Sequence, residues 1–374
     1  MKKSILKITS IIMLLILLLT ACGQVPNVTT DETTEATDAV SKTLAETDEV
    51  LESTTEEETA APVVEEKKEI KLLMIGNSFC TYYPEELYGV AKAAGYDLTI
   101  LSLYESGCPV ADHWKWLNDN SRMYKLYVTS TKYKGNRKEV KAVDENGVKQ
   151  NLATIQEALD YAKKELGGDW DVISLQQHFY PGRALDYNKG YGDTSVYAKL
   201  LYDRIAKEHP DAKLLWHETW AYQVGYAVAE YYVADPKVDT AIPDVATQTK
   251  TYETIKKICY EIAAENNVDI VPCADAWQIA RADSRVGDNM CARLGVNGDK
   301  GDYYHDGDIG GGQYLNGCVW FEVLTGKSCI GNTYRPEYKD STQKSYTLSE
   351  DMIAGIQEAA HAAVAAVYGA DFAK

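Results

Sequence analysis

The chain has 374 residues, 45% of them hydrophobic, enough for one large domain or two ordinary ones with a sizeable core. A net charge of −18 argues against nucleic-acid partners and against binding an anionic membrane through a basic face. The eight cysteines include no Cys-x-x-Cys pair, so a zinc knuckle is not supported.

The first elements form a leader. Lys2, Lys3 and Lys7 precede a short apolar run over 11–19, closed by Leu19-Thr20-Ala21-Cys22. The run is too short to span a bilayer and has the layout of a signal peptide over 1–21. Cys22 directly after a small residue resembles a bacterial lipobox. That resemblance implies cleavage before Cys22, lipid on its thiol, and an extracytoplasmic domain anchored to the bacterial cell membrane. Residues 22–68 are rich in Thr, Glu, Ala and Asp and poor in large apolar groups. They bury too little to offset chain entropy, so an acidic, disordered tether is expected. The seven cysteines beyond Cys22 leave at least one thiol free in a monomer.

One domain is expected over 69–374. Residues 71–75 read as a buried strand, followed by a helix over 84–94 and a strand over 97–103. Alternation around Lys134-Gly135 and Asn146-Gly147 predicts a hairpin insertion over 122–143, a possible lid. An amphipathic helix over 151–165 leads to a strand over 170–175. A helix over 195–208, a strand over 213–216, a helix over 248–265 and a strand over 268–271 come next. Helices near 310–325 and 349–368 close the chain. Alternating strands and helices predict an α/β fold, a three-layer α/β/α sandwich with a mostly parallel central sheet. In such folds chemistry sits beyond the carboxyl ends of the strands.

The chemistry-bearing residues fall at those tips. Strand one ends in Gly76-Asn77-Ser78-Phe79, which puts a hydroxyl, and an amide able to meet an oxyanion, between strand and helix. Strand two ends in Ser106-Gly107-Cys108, where glycine lets the backbone amide approach a ligand. Strand three ends in Gln176-Gln177, carboxamides able to donate to an oxyanion. Asp302 and His305 follow near the end of the domain. Their spacing places both on one side of a turn, so the carboxylate can hold Nδ1 while Nε2 faces a serine. The Asp- and Gly-rich stretch 296–312 lacks the ligand spacing of an EF-hand.

Serine, glycine, carboxamide and Asp-x-x-His in that order resemble the SGNH/GDSL hydrolases. The likeness extends to an uncharacterised bacterial branch of that clan through Ile75–Phe79, His113-Trp114, Leu175-Gln176-Gln177, His217-Glu218-Thr219-Trp220-Ala221-Tyr222, Ala280-Arg281 and Cys318–Glu322. The Gly-x-Asn-Asp block of the wider clan is absent, so Gln176, or Gln177 in its place, would supply the third oxyanion donor. The resemblance implies a flavodoxin-like fold and a serine esterase with Ser78, Asp302 and His305 as triad. It also implies a substrate pocket touching His217, Trp220, Tyr222 and Arg281, and chemistry that needs no metal or organic cofactor. With 27 tyrosines against four phenylalanines, the chain is rich in flat faces with polar tips that suit sugars. An acylated small molecule or glycan is therefore the expected substrate. A glycan- or solute-binding surface lipoprotein, a hydrolase that has lost catalysis, and an acyltransferase using the same triad are the competing readings.

Overall fold

The computed structural model describes residues 68–177, 193–222, 245–287, 311–339 and 345–374. Chain order begins with β1 (Glu69–Gly76), a 3-10 turn (Ser78–Cys80), α1 (Pro84–Ala93), β2 (Asp97–Tyr104) and α2 (Val110–Asn118). β3 (Lys125–Thr129), β4 (Lys138–Val140), β5 (Ala142–Val143), β6 (Lys149–Gln150) and α3 (Ile155–Glu165) follow. The middle holds β7 (Val172–Gln176), α4 (Thr194–Glu208), β8 (Lys213–His217), α5 (Val245–Asn266), β9 (Asp269–Val271) and α6 (Cys273–Ala282). α7 (Gly312–Thr325), β10 (Glu337–Lys339), β11 (Ser345–Thr347) and α8 (Glu350–Tyr368) complete it.

The main sheet runs β4-β3-β2-β1-β7-β8-β9. From β2 to β9 neighbouring strands are parallel. β1 sits at its centre, and Leu72, Leu73, Met74 and Ile75 are all buried, as expected of a parallel strand covered on both faces. One helical layer joins α1, α7, α8 and α6; the other joins α2, α4 and α5 with α3. The α/β/α sandwich expected from alternation is the fold. Strand order reverses between β1 and β7, the topological switch point at which such sheets bind ligands.

Local chemistry explains the element ends. Pro84 opens α1, where its missing N–H costs nothing. Thr154 and Glu157 form a reciprocal capping box on α3. Gly317 of α7 lies so close to α1 that an added Cβ would stand 2.8 Å from the Leu87 nitrogen. That contact sets the distance between the two helices.

Two expectations are corrected. The hairpin expected over 122–143 forms as β3 and β4, but it is not an insertion: β3 pairs antiparallel with β2, β4 with β3, and the two widen the main sheet. The Asn146-Gly147 turn belongs to the small β5–β6 ribbon. α2 and α6 were not anticipated. α2 is short, and α6 begins at Cys273, immediately after Pro272 and two residues beyond β9, with no polar turn to announce it. Among the described residues no helix is long and apolar enough to cross a membrane.

Candidate active site

The parallel register gathers the tips of β1, β2, β7 and β8 on one edge: Gly76 pairs with Tyr104, Ile75 with Leu175 and Gln176 with His217. Ser78, Gly107, Gln176, Gln177 and the stretch from His217 to Tyr222 therefore share that edge. Asp302 and His305 lie outside the described residues.

Ser78 opens the 3-10 turn directly beyond β1. It is half-buried, between Asn77 at 1% and Phe79 at 2% exposure, so the serine is the residue of this turn that faces outward. Its carbonyl accepts from the Thr81 amide at 3.1 Å and the Thr81 hydroxyl at 3.0 Å, which closes the turn. Asn77 is the hub. Its Oδ1 accepts from the Phe79 amide at 3.2 Å and from Gln176 Nε2 at 2.7 Å, and its Nδ2 donates to the Cys108 carbonyl at 3.3 Å. One buried carboxamide thus caps the Ser78 turn and ties it to the tips of β2 and β7. Asparagine is favoured at such caps because its side chain reproduces the missing backbone acceptor.

Gly107 is exposed at φ +59, a left-handed conformation that glycine adopts without a Cβ penalty. The Glu105 amide donates to the Gly76 carbonyl at 3.3 Å and brings this loop to the end of β1. Behind it, His113 Nδ1 lies 2.6 Å from the Tyr124 hydroxyl and 3.5 Å from Cys108 Sγ. Burial holds the His113 imidazole neutral by lowering its pKa to about 3.

The two glutamines are buried at 1% and 2% exposure. Gln176 lies under Gly76, where an added Cβ would stand 2.5 Å from its Nε2. It holds Asn77 from below. Gln177 Oε1 accepts from the Val110 amide at 2.8 Å, fixing the start of α2. These amides therefore brace the strand tips.

His217, Trp220 and Tyr222 are buried at 1%, 2% and 4% exposure. His217 Nδ1 lies 3.2 Å from the Tyr83 hydroxyl, and its ring packs edge-on against Trp320. Burial pulls its pKa down to about 3. Trp220 packs between Phe79, at 4.8 Å between centroids, and Trp277, at 5.2 Å. The Arg281 guanidinium is half-buried over Trp277 and donates to the Ala221 carbonyl at 2.8 Å. This aromatic stack supports the Ser78 turn from beneath. Asn77, Cys108 and His113 entered the sequence reading only as parts of motifs, and Tyr83 and Tyr124 not at all. Only the asparagine before a strand-tip serine offered a local signal.

A family model described as a domain of unknown function (DUF4886) matches residues 71–351. The chain belongs to that family. A solved DUF4886 protein from Bacteroides uniformis is 26% identical, with a TM-score of 0.57 over 82% of this chain and 97% of its own. A putative GDSL-like lipase from Parabacteroides merdae is 13% identical, with a TM-score of 0.38 over 70% and 98%. An acetyl-xylooligosaccharide esterase from Geobacillus is 12% identical, with a TM-score of 0.35 over 69% and 94%. Among curated proteins none matches the chain.

Proposed function

We propose that this DUF4886 chain is a lipid-anchored extracytoplasmic serine esterase that hydrolyses acyl esters, foremost acetyl esters, on carbohydrate. The observation that carries the reading is the outward-facing Ser78 on a turn braced by Asn77, at the β1/β7 switch point and beside the positive-φ Gly107. The block order from Ser78 to Asp302 and His305 supports the triad, Cys22 the anchor, and the tyrosine content the sugar.

In this mechanism His305 takes the Ser78 proton as Oγ attacks the ester carbonyl, and Asp302 holds the imidazolium. The amides of Ser78 and Gly107 face the oxyanion, where one such donor is worth roughly 10²–10³ in rate. His305 then protonates the departing sugar hydroxyl. Water, deprotonated by the same histidine, releases the carboxylic acid and frees Ser78. Gln176, braced against Asn77, holds the turn in this scheme more than it meets the oxyanion.

Hydrolysis of p-nitrophenyl acetate and butyrate by the folded protein tests the reading. Ser78→Ala is expected to lower turnover at least roughly 10³-fold. Equal release by parent and variant removes Ser78 as nucleophile.

A further inference from the structure

A cavity of about 740 Å³ opens along α1, between the loop over 134–137, the start of α7 and β10. It falls within the range of about 300–1,000 Å³ typical of small-molecule sites. Its walls are built around tyrosines. The Tyr334 ring lies over Gly89, where an added Cβ would stand 2.3 Å from the ring. The Tyr88 ring lies against Gly135, where a Cβ would stand 2.5 Å away. Each glycine makes room for a ring that any side chain would displace. Tyr82, half-buried, forms the end of the cavity nearest the Ser78 turn.

One polar group in this wall is unspent, and a second is at hand. The buried Tyr338 hydroxyl lacks a partner among the described residues. Buried polar groups are normally satisfied, so it points to a ligand or the water it displaces. Gln313, 5% exposed, adds a carboxamide to the same wall. Acidic and basic groups are mixed around the rim, Glu85 and Glu337 against Lys92, Lys134 and Lys339. That mixture creates no single-sign field to select an ion, but it offers donors and acceptors to a neutral polyhydroxylated molecule.

Arg137 links the cavity to the reaction edge. Its guanidinium lies over the Tyr82 ring at 5.8 Å and donates to the Thr81 carbonyl, while the Thr81 amide and hydroxyl close the Ser78 turn.

We infer that this cavity is a neutral-saccharide subsite, in which tyrosine faces carry sugar rings of the chain whose ester is presented to Ser78. The inference rests on the esterase reading for what the bound sugar is there for, but its test does not need catalysis. The full-chain protein is titrated calorimetrically with unacylated xylo-, cello- and manno-oligosaccharides. At least one is expected to bind. Tyr82→Ala and Gln313→Ala should each weaken it at least about tenfold, as loss of an anchoring contact does. Ser78→Ala should bind like the parent. Thermal midpoints verify that each variant is folded, and the half-buried Tyr82 keeps the test open if Gln313→Ala is unstable. Absence of binding by all three sugars, or binding unchanged in a folded Tyr82→Ala protein, overturns the subsite. Ester hydrolysis without sugar binding rejects the subsite alone. Sugar binding lost in the Tyr82 variant, without ester hydrolysis in the parent, keeps it and rejects the esterase.

Discussion

At the scale of single residues, Asn77 carries more than its neighbour's chemistry suggests. It makes three hydrogen bonds from a fully buried carboxamide and leaves Ser78 free to face outward. Asn77→Ala would strand the Gln176 amide and the Phe79 N–H inside the protein. Unsatisfied buried groups cost about 1–3 kcal/mol each, so a loss of a few kcal/mol is expected in urea unfolding. On the proposed mechanism, ester turnover should fall with little change in KM, because the turn that aims the nucleophile is loosened. A stable variant with parental turnover would sink the hub role. Sequence made the serine visible because a small nucleophile between strand and helix is a recognisable pattern. It did not make the asparagine's role visible, because that depends on Gln176 and Cys108 arriving from other strand tips. The same limit applies to His217 and Trp220. A His-x-Thr-Trp pattern marks a strand tip, but only the packing of Tyr83, Trp277 and Trp320 shows their side chains turned inward.

Elements were legible wherever their hydrophobic period was long or their ends were capped. β1, α3, α4 and α8 fall close to their expected places, and the last three begin at Thr154, Asp193 and Ser349 caps. The antiparallel hairpin is legible, but its docking onto the main sheet is not, for a physical reason. β3 and β4 alternate as any hairpin does, and nothing in that alternation tells whether the pair stands alone or docks on β2. Helix spacing is a matter of element contacts as well, and Gly317 makes it testable. Gly317→Ala places a methyl 2.8 Å from backbone of α1, where no side-chain rotation can relieve the clash. Overpacking of this kind costs about 1–3 kcal/mol, to be read as a lower urea midpoint with an unchanged slope. Because α1 follows the Ser78 turn directly, ester turnover should fall in the same variant. A midpoint equal to the parent's would mean that the helices separate freely, and the close approach would then do little to fix the turn.

At the scale of the whole molecule, buried ionisable groups predict how stability depends on pH. Burial lowers the pKa of His113 and His217 to about 3. Below about pH 6.5 the unfolded chain binds protons that these folded imidazoles refuse. Their contribution is complete above that pH and is lost as pH falls toward 3. Glu218 acts in the opposite sense. Its burial, with Asp275 beside it, raises its carboxyl well above 4.5, so the folded protein keeps a proton that the unfolded chain releases. That contribution declines as pH rises through the weakly acidic range. Below about pH 6.5 the two histidines outweigh the one glutamate, so stability rises with pH. Above about pH 8.5 the buried thiols of Cys80, Cys259 and Cys273, pushed up by desolvation, make it fall again. Urea midpoints are therefore expected to rise from about pH 4.5 to 6.5 and to decline above about pH 8.5. His217→Asn removes one of the two histidine contributions, so the acid limb should become shallower in that variant. An unchanged acid limb would mean that His217 is protonated in the folded protein. It would then have to be charged inside the aromatic cluster that supports the Ser78 turn, where its Nε2 has no partner among the described residues.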